Sequence, residues 1–242
     1  MEHKKKTCSY DITIITLKQE KRKSDSFVVG VDEAGRGAVI GPLVISGICI
    51  DEKKLDYLNR IGVKDSKMLT KQKRKELFKM IKNISNAIYI VKLSPTVIDQ
   101  WTSMHKLNEL EALAVSKILE SLYPFKIAII DAPSTPTSYQ RYIEKWLQRV
   151  PTNKLLIESK ADKKYVITAA ASIIAKVIRD EEIQKIITTT GIDVGSGYPS
   201  DPRTRAILKE LIKKHPEFVR HSWKTIKALS TNSIIHWLLE ES

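Results

Sequence analysis

Cysteine is scarce in this chain. Of 242 residues only Cys8 and Cys49 carry a thiol, the first in a basic N-terminal stretch and the second in an apolar run. That excludes a disulfide framework and a Cys-x-x-Cys metal knuckle, and both thiols are expected to be free. The five histidines, His3, His105, His215, His221 and His236, show no paired zinc spacing and no His-Glu-x-x-His. A metal site here must therefore be built from oxygen, which favours Mg²⁺ or Mn²⁺ over zinc. No apolar run approaches the about 20 residues of a membrane span, so no membrane partner is expected. Met1-Glu2-His3-Lys4-Lys5-Lys6 lacks the apolar stretch of a signal peptide, and the expectation is an intracellular, cytoplasmic protein. Internal repeats and low-complexity segments are also missing.

Acids are the minority charge. Asp and Glu number 28 against 41 Lys and Arg, a net charge of +13, and the pI is near 9.6. Such an excess points to a polyanionic partner, nucleic acid first, although a basic chain can also be no more than well solvated. With 42% hydrophobic and 29% charged residues, the chain is long enough to bury a real core in one sizeable domain with an appendage.

Along the chain, residues 1–26 are polar and basic apart from an apolar alternation around Ile12, Ile14 and Ile15. They read as a loosely attached arm or an edge strand. A core begins near Phe27. Phe27 to Val31 and Gly41 to Ile50 predict two strands, and a helix follows from about Thr70, its cap, to Lys82. Ala87 to Leu93 predicts a third strand. Pro95 opens a helical stretch carrying Trp101, Leu107, Leu110, Leu113, Val115 and Ile118, which ends before Pro124. Lys126 to Asp131 predicts a buried strand, Tyr139 to Val150 a helix, Leu155 to Glu158 a fifth strand and Ala169 to Ile187 a long helix. Residues 191–202 form a loop rich in Gly, Pro and Asp. Short helices are expected over 203–214, 217–229 and 230–239. The result is an α/β chain with a mixed five-stranded sheet, antiparallel first and parallel later.

Against that background the segment Asp32-Glu33-Ala34-Gly35-Arg36-Gly37-Ala38 stands out. Two carboxylates close a predicted strand, and a nearly bare backbone follows. Neighbouring carboxylates repel and stay ionised at low cost only with a cation between them, and Mg²⁺ takes carboxylates together with substrate phosphate oxygens. Gly35 and Gly37 allow a polymer backbone to come close, and Arg36 adds a cationic fork. The competing reading is a tight turn with solvated acids. Asp131 also ends a strand, and if that strand lies parallel to the one ending at Asp32 both acids enter one crevice; otherwise Asp131 caps the turn before Pro133. Asp180 borders the sheet-facing stripe of its helix, which suits either a ligand or an ion pair with Lys176 or Arg179.

Together these segments resemble ribonuclease HII. The likeness rests on Asp-Glu-Ala-Gly-Arg-Gly after a strand, Lys64-Asp65-Ser66-Lys67, Ile130-Asp131-Ala132-Pro133, Lys160-Ala161-Asp162, Ala-Ala-Ser-Ile-Ile-Ala-Lys at 170–176 and Arg179-Asp180, all in the family's order. Gly195 to Pro202 and Arg220-His221-Ser222-Trp223-Lys224-Thr225 are similar to the archaeal members and to the catalytic subunit of eukaryotic ribonuclease H2. The resemblance spans about residues 27–227. It implies an RNase H-like fold in 27–190 and a C-terminal helical appendage, 191–242, that completes the substrate cleft.

The resemblance further implies hydrolysis of the RNA strand of RNA–DNA hybrids, and cleavage 5′ to single ribonucleotides embedded in duplex DNA, leaving 3′-OH and 5′-phosphate ends. By motif match Asp32, Glu33, Asp131 and Asp180 would hold two Mg²⁺ or Mn²⁺ ions, one activating water and the other steadying the leaving 3′ oxygen. Asp32 would bridge them. Gly35, Arg36 and Gly37 would sense the ribose 2′-OH through their backbone, and Tyr198 would stack on the following sugar; the bland alternative for Tyr198 is a loop anchor. Lys67 and Lys160 are candidate phosphate contacts, with Lys163 and Lys176 behind them, although most lysines of so basic a chain only decorate its surface. Ala38 departs from the Pro usual after the motif. Residues 232–239 bear a degenerate likeness to a sliding-clamp docking peptide, and a monomer is expected. A binding protein without catalysis would not need four acids, and a DNA nuclease would not need the ribose sensor with Tyr198.

Overall fold

The computed structural model describes residues 12–20, 26–63 and 69–229. Lys67 with its neighbours Lys64, Asp65 and Ser66, the helix expected over 230–239 and the clamp-like residues 232–239 lie outside the described residues. The chain opens with three strands, β1 (Ile12–Gln19), β2 (Phe27–Ala34) and β3 (Leu43–Asp51), and then α1 (Leu55–Arg60) and α2 (Lys71–Ile84). Next come β4 (Ala87–Leu93), α3 (Pro95–Ser103), α4 (Leu107–Leu122), β5 (Ile127–Asp131) and α5 (Pro136–Glu144). The last elements are β6 (Leu155–Glu158), α6 (Ala161–Lys164), the long α7 (Val166–Thr190) and α8 (Pro202–Lys214).

All six strands join one sheet in the order β1-β4-β3-β2-β5-β6. The expected count of five is corrected by β1, which pairs antiparallel with β4 from Ile12 opposite Leu93 to Gln19 opposite Ala87. Its apolar alternation reads weakly because an edge strand needs only one face covered, and Ile12 and Ile14 remain exposed. β2 lies at the switch from antiparallel to parallel pairing. It runs antiparallel to β3 and parallel to β5, with Val31 opposite Ile130 in the last parallel pair. The next residue on each strand is an acid.

β2 and β3 are apolar on both faces because helices cover both. α3, α4 and α5 pack on one side around Val31, Ile45, Val115 and Tyr139. On the other side lie α1, α2, α6 and α7, around Val44, Ile48, Leu77 and Ile174. A third cluster joins the end of α7 to the C-terminal segment through Ile183, Ile186, Leu208, Leu211, Val219 and Ile226. Thr70 caps α2 as expected, accepting from the Lys73 amide at 3.2 Å. The single helix expected after Pro95 is broken between Ser103 and Leu107, where His105 takes a positive φ of 58°. The helix expected over 217–229 is a short 3-10 turn at Pro216–Phe218 followed, after a gap, by helical residues 224–229.

At Gly30 the backbones of sheet and helix meet directly. A methyl group added there would stand 2.4 Å from the carbonyl oxygen of Ile167 in the first turn of α7. Backbone thus rests on backbone, and α7 is held at one height along β2. Gly30→Ala should push the helix away and destabilise the fold by about 1–3 kcal/mol, the usual cost of overpacking, measured as a lower midpoint in urea unfolding.

Candidate active site

β2 delivers Asp32 and Glu33, and its parallel neighbour β5 delivers Asp131. One carboxylate oxygen from each of the three lies within 4.8 Å of the others, an all-oxygen set that fits a hard divalent cation. Asp32 is buried, at 5% exposure, while Glu33 and Asp131 are half-buried. Asp32 and Asp131 are held by main-chain or hydroxyl donors. Asp32 accepts from the Glu33 amide at 2.8 Å and from the Ser172 hydroxyl of α7. Asp131 accepts from the Ala161 amide at 2.7 Å. That amide follows Lys160, an exposed residue in the left-handed region at φ 59°, so Lys160 stands beside the acids without contacting them in any bond described.

Burial dominates the electrostatics. Loss of water, opposed by the Ser172 hydrogen bond and reinforced by the Asp131 charge, pushes Asp32 up to about 7. Glu33 is raised well above the usual carboxylate range, first by burial and then by Asp32, Glu111 and Asp131. A site that raises the pKa of its own acids stores a preference for positive charge, whether protons or a metal.

Asp180, expected as the fourth acid, does not join the three. Its Oδ2 accepts from Arg74 Nη2 of α2 at 2.8 Å. An ion pair was one of the readings its helix position allowed, but the partner comes from another helix and is neither Lys176 nor Arg179. Helical phase explains the placement: successive residues differ by about 100° around the axis, and Arg179 takes the direction toward Gly35, leaving Asp180 turned toward α2. The buried Asp162, next to Ala161 on α6, stands closer in the chain to the groups that hold Asp131.

The glycine loop follows Glu33 directly. Gly35 is buried with φ +92°, and a methyl there would lie 2.4 Å from Arg179 Nε; Gly37 is exposed with nothing within 4 Å of an added methyl. Arg36 is not a free cationic fork. Its Nε donates to Glu111 Oε1 at 3.0 Å and its Nη2 to Asn108 Oδ1 at 2.6 Å, both on α4. Its carbonyl accepts from Arg220 Nη1 at 3.0 Å. Tyr198 reaches the same loop through its neighbours, because the Gly197 carbonyl accepts from the Val39 amide at 2.8 Å. One face of its ring lies over the Arg179 guanidinium, 4.5 Å from the centroid.

The sequence profile of the family described as Ribonuclease HII matches residues 29–226. The chain belongs to the ribonuclease HII family. It is therefore a hydrolase of the type 2 ribonuclease H class, with the RNase H-like fold. The chain is 45% identical to the ribonuclease HII of Pyrococcus furiosus over 204 residues, covering 83% of this chain and 89% of the relative. The crystal structure of ribonuclease H2 from Pyrococcus horikoshii OT3 superposes with a TM-score of 0.76 at 43% identity, over 85% of this chain and 98% of that one. Ribonuclease HII from Archaeoglobus fulgidus, solved in a complex with PCNA, gives 0.73 at 41% identity, over 82% and 95%.

Three residues of this site were missed as such from the sequence. Glu111 is 1% exposed and raised above its usual range by burial, with Arg36 opposing; the signal was an acid in the apolar stripe of α4, four residues from both Leu107 and Val115. Arg179 and Arg220 are buried arginines with no carboxylate in hydrogen-bonding contact among the described bonds. Burial and the nearby Arg179 charge depress Arg220 to about 9. No helical or strand periodicity marks Arg220, because it lies in an irregular segment.

The raised pKa of Asp32 has a thermodynamic sign. Its folded value of about 7 exceeds its ordinary value of 3.8, so the folded chain binds that proton more tightly and metal-free stability declines as pH rises from about 4 through about 7. Between pH 5 and pH 8.5 the loss should be on the order of 3 kcal/mol. Urea unfolding in EDTA at pH 5 and pH 8.5 should show it in the wild type, and the Asp32→Asn difference should be smaller by about that amount, with Glu33 still contributing.

Proposed function

We propose that this chain hydrolyses the RNA strand of RNA–DNA hybrids and cuts 5′ to single ribonucleotides embedded in duplex DNA, leaving 3′-OH and 5′-phosphate ends. The observation that carries this reading is the convergence of Asp32, Glu33 and Asp131 at the head of the Gly35-Arg36-Gly37 loop. Two Mg²⁺ or Mn²⁺ ions bound there would supply the Lewis acidity for the attacking water and the leaving oxygen. Asp32, the buried member of the three and steadied by Ser172, would be the acid common to both ions. Asp180 would have to leave Arg74 to serve as the fourth ligand; the buried Asp162, next in the chain to the amide that anchors Asp131, is proposed in its place.

The loop presents main-chain groups to the ribose, and its shape is held from behind. Arg220 fixes the Arg36 carbonyl, and Glu111 with Asn108 draws the Arg36 side chain away from the substrate side. Recognition at this loop therefore falls to its backbone and to the exposed Gly37, suited to a 2′-OH that both donates and accepts. Tyr198 keeps one face for the sugar after the ribonucleotide. Lys160, exposed beside the acids, is a phosphate contact, and the same is proposed for Lys67. In this reading residues 27–190 form the catalytic unit and 191–242 close the cleft of a cytoplasmic monomer. A sliding clamp is proposed as a partner, through the C-terminus, and a complex of the Archaeoglobus relative with PCNA supports such a partner.

A duplex with one embedded ribonucleotide, incubated with Mg²⁺ or Mn²⁺ beside an all-DNA control, tests the reading; equal cleavage of both, or of neither, would sink it. Asp32→Asn should abolish turnover and leave duplex binding largely intact, since basic side chains supply most of that affinity. Asp162→Asn should lower kcat by about ten- to a hundredfold, as loss of a group at a metal centre does, while Asp180→Asn should cost far less. The reverse order would restore Asp180 to the metal site.

A further inference from the structure

Arg179 is almost wholly buried, 4% exposed, and yet it makes a single described hydrogen bond, from Nη2 to the Ser196 carbonyl at 2.9 Å. Its Nε is buried with no partner. Burying a guanidinium this way is costly, and desolvation depresses its pKa. The location indicates what the cost maintains. A methyl on Gly35 would fall 2.4 Å from Nε and 2.6 Å from Cδ, and one on Gly197 would fall 3.0 Å from Nη2. The Tyr198 ring lies over the same guanidinium at 4.5 Å. One flat cation is thus layered between two loops that are about 160 residues apart in sequence, each opened by a glycine at the point of contact.

We propose that Arg179 is a positioning residue that sets the spacing between the Gly35–Gly37 backbone and the Tyr198 ring, and through that spacing the selection of a single ribonucleotide. The proposal rests on the functional reading above, in which the loop faces the ribose and Tyr198 the next sugar. A planar, rigid cation suits the task. It stacks on an aromatic face while its edge still reaches a carbonyl, and lysine, a point charge on a flexible stem, cannot do both. A spacer also explains why the glycines are buried against it: any side chain on Gly35 would change the thickness of the layer.

Arg179→Lys is the informative variant, since its stem keeps much of the packing; a melting curve checks that it folds. Amide hydrogen exchange of the metal-free protein gives the first readout. Faster exchange in both 38–40 and 196–198 is expected, and unchanged exchange in either segment would overturn the proposal. The second readout is a double-mutant cycle with Tyr198→Ala. On the duplex with one ribonucleotide Arg179→Lys should lower kcat/KM about tenfold in the wild-type background, in keeping with loss of a desolvated stack, and little in Tyr198→Ala. A long hybrid should be affected less. Additive effects, or equal loss on both substrates, would show a merely structural arginine. If the wild type cleaved neither substrate the functional reading would fall, and the exchange result would still decide the spacer role.

Discussion

Three carboxylates within 4.8 Å of one another repel, and removing water from around them strengthens the repulsion. Left to themselves they would separate. They stay because two of them ride on a central strand and the third on its parallel neighbour, and each strand is fixed along its length by ladder bonds and by helices on both faces. The fold supplies the work of assembly, so the cation has only to neutralise a cluster already gathered. The position at the switch between antiparallel and parallel pairing matters for the same reason: it is where two neighbouring strand ends open toward one crevice.

Around this centre the second task is control of a loop without side chains of its own to anchor it. Glycines that leave room beside a backbone also admit many loop conformations, and the chain answers with arginines. Arg36 is tied outward to Glu111 and Asn108, Arg220 binds the carbonyls of Gly41 and Arg36, and Arg179 lies beneath Gly35. Cations packed below the loop and carboxylates packed beside it share one neighbourhood, and α4, α7 and the segment after α8 all contribute. A site of that kind ties remote parts of the chain together and leaves few of them free to vary alone.

What could be read from the sequence follows from how local its causes are. The pair Asp32-Glu33, the Thr70 cap, the ends of β4 and β6 and the crevice shared with Asp131 were legible because period, caps and strand ends are written in adjacent residues. The break at His105 was not, since both halves carry the same apolar stripe and nothing in the stripe marks a change of direction. β1 was ambiguous because half its residues have no core to face. Asp180 and Arg179 show the limit most clearly. They are neighbours in sequence and both suit a polar site, and which one faces the loop depends on the rotation of α7 about its axis, a tertiary quantity. Glu111 was detectable as a charge in an apolar stripe; its partner, 75 residues away, was not.

The contact at Gly30 gives α7 one further meaning. With its first turn seated on β2, the helix is a graduated rod: Thr168 marks the Ile129 carbonyl, Ser172 marks Asp32, and Arg179 marks Gly35. Each mark sits at a height of about 1.5 Å per residue and a bearing of about 100° per residue from the last. A residue gained or lost anywhere between the seat and Arg179 would misread every later mark at once, in height and in bearing. Insertions should therefore be found in the loops around this enzyme and hardly ever inside that stretch of helix.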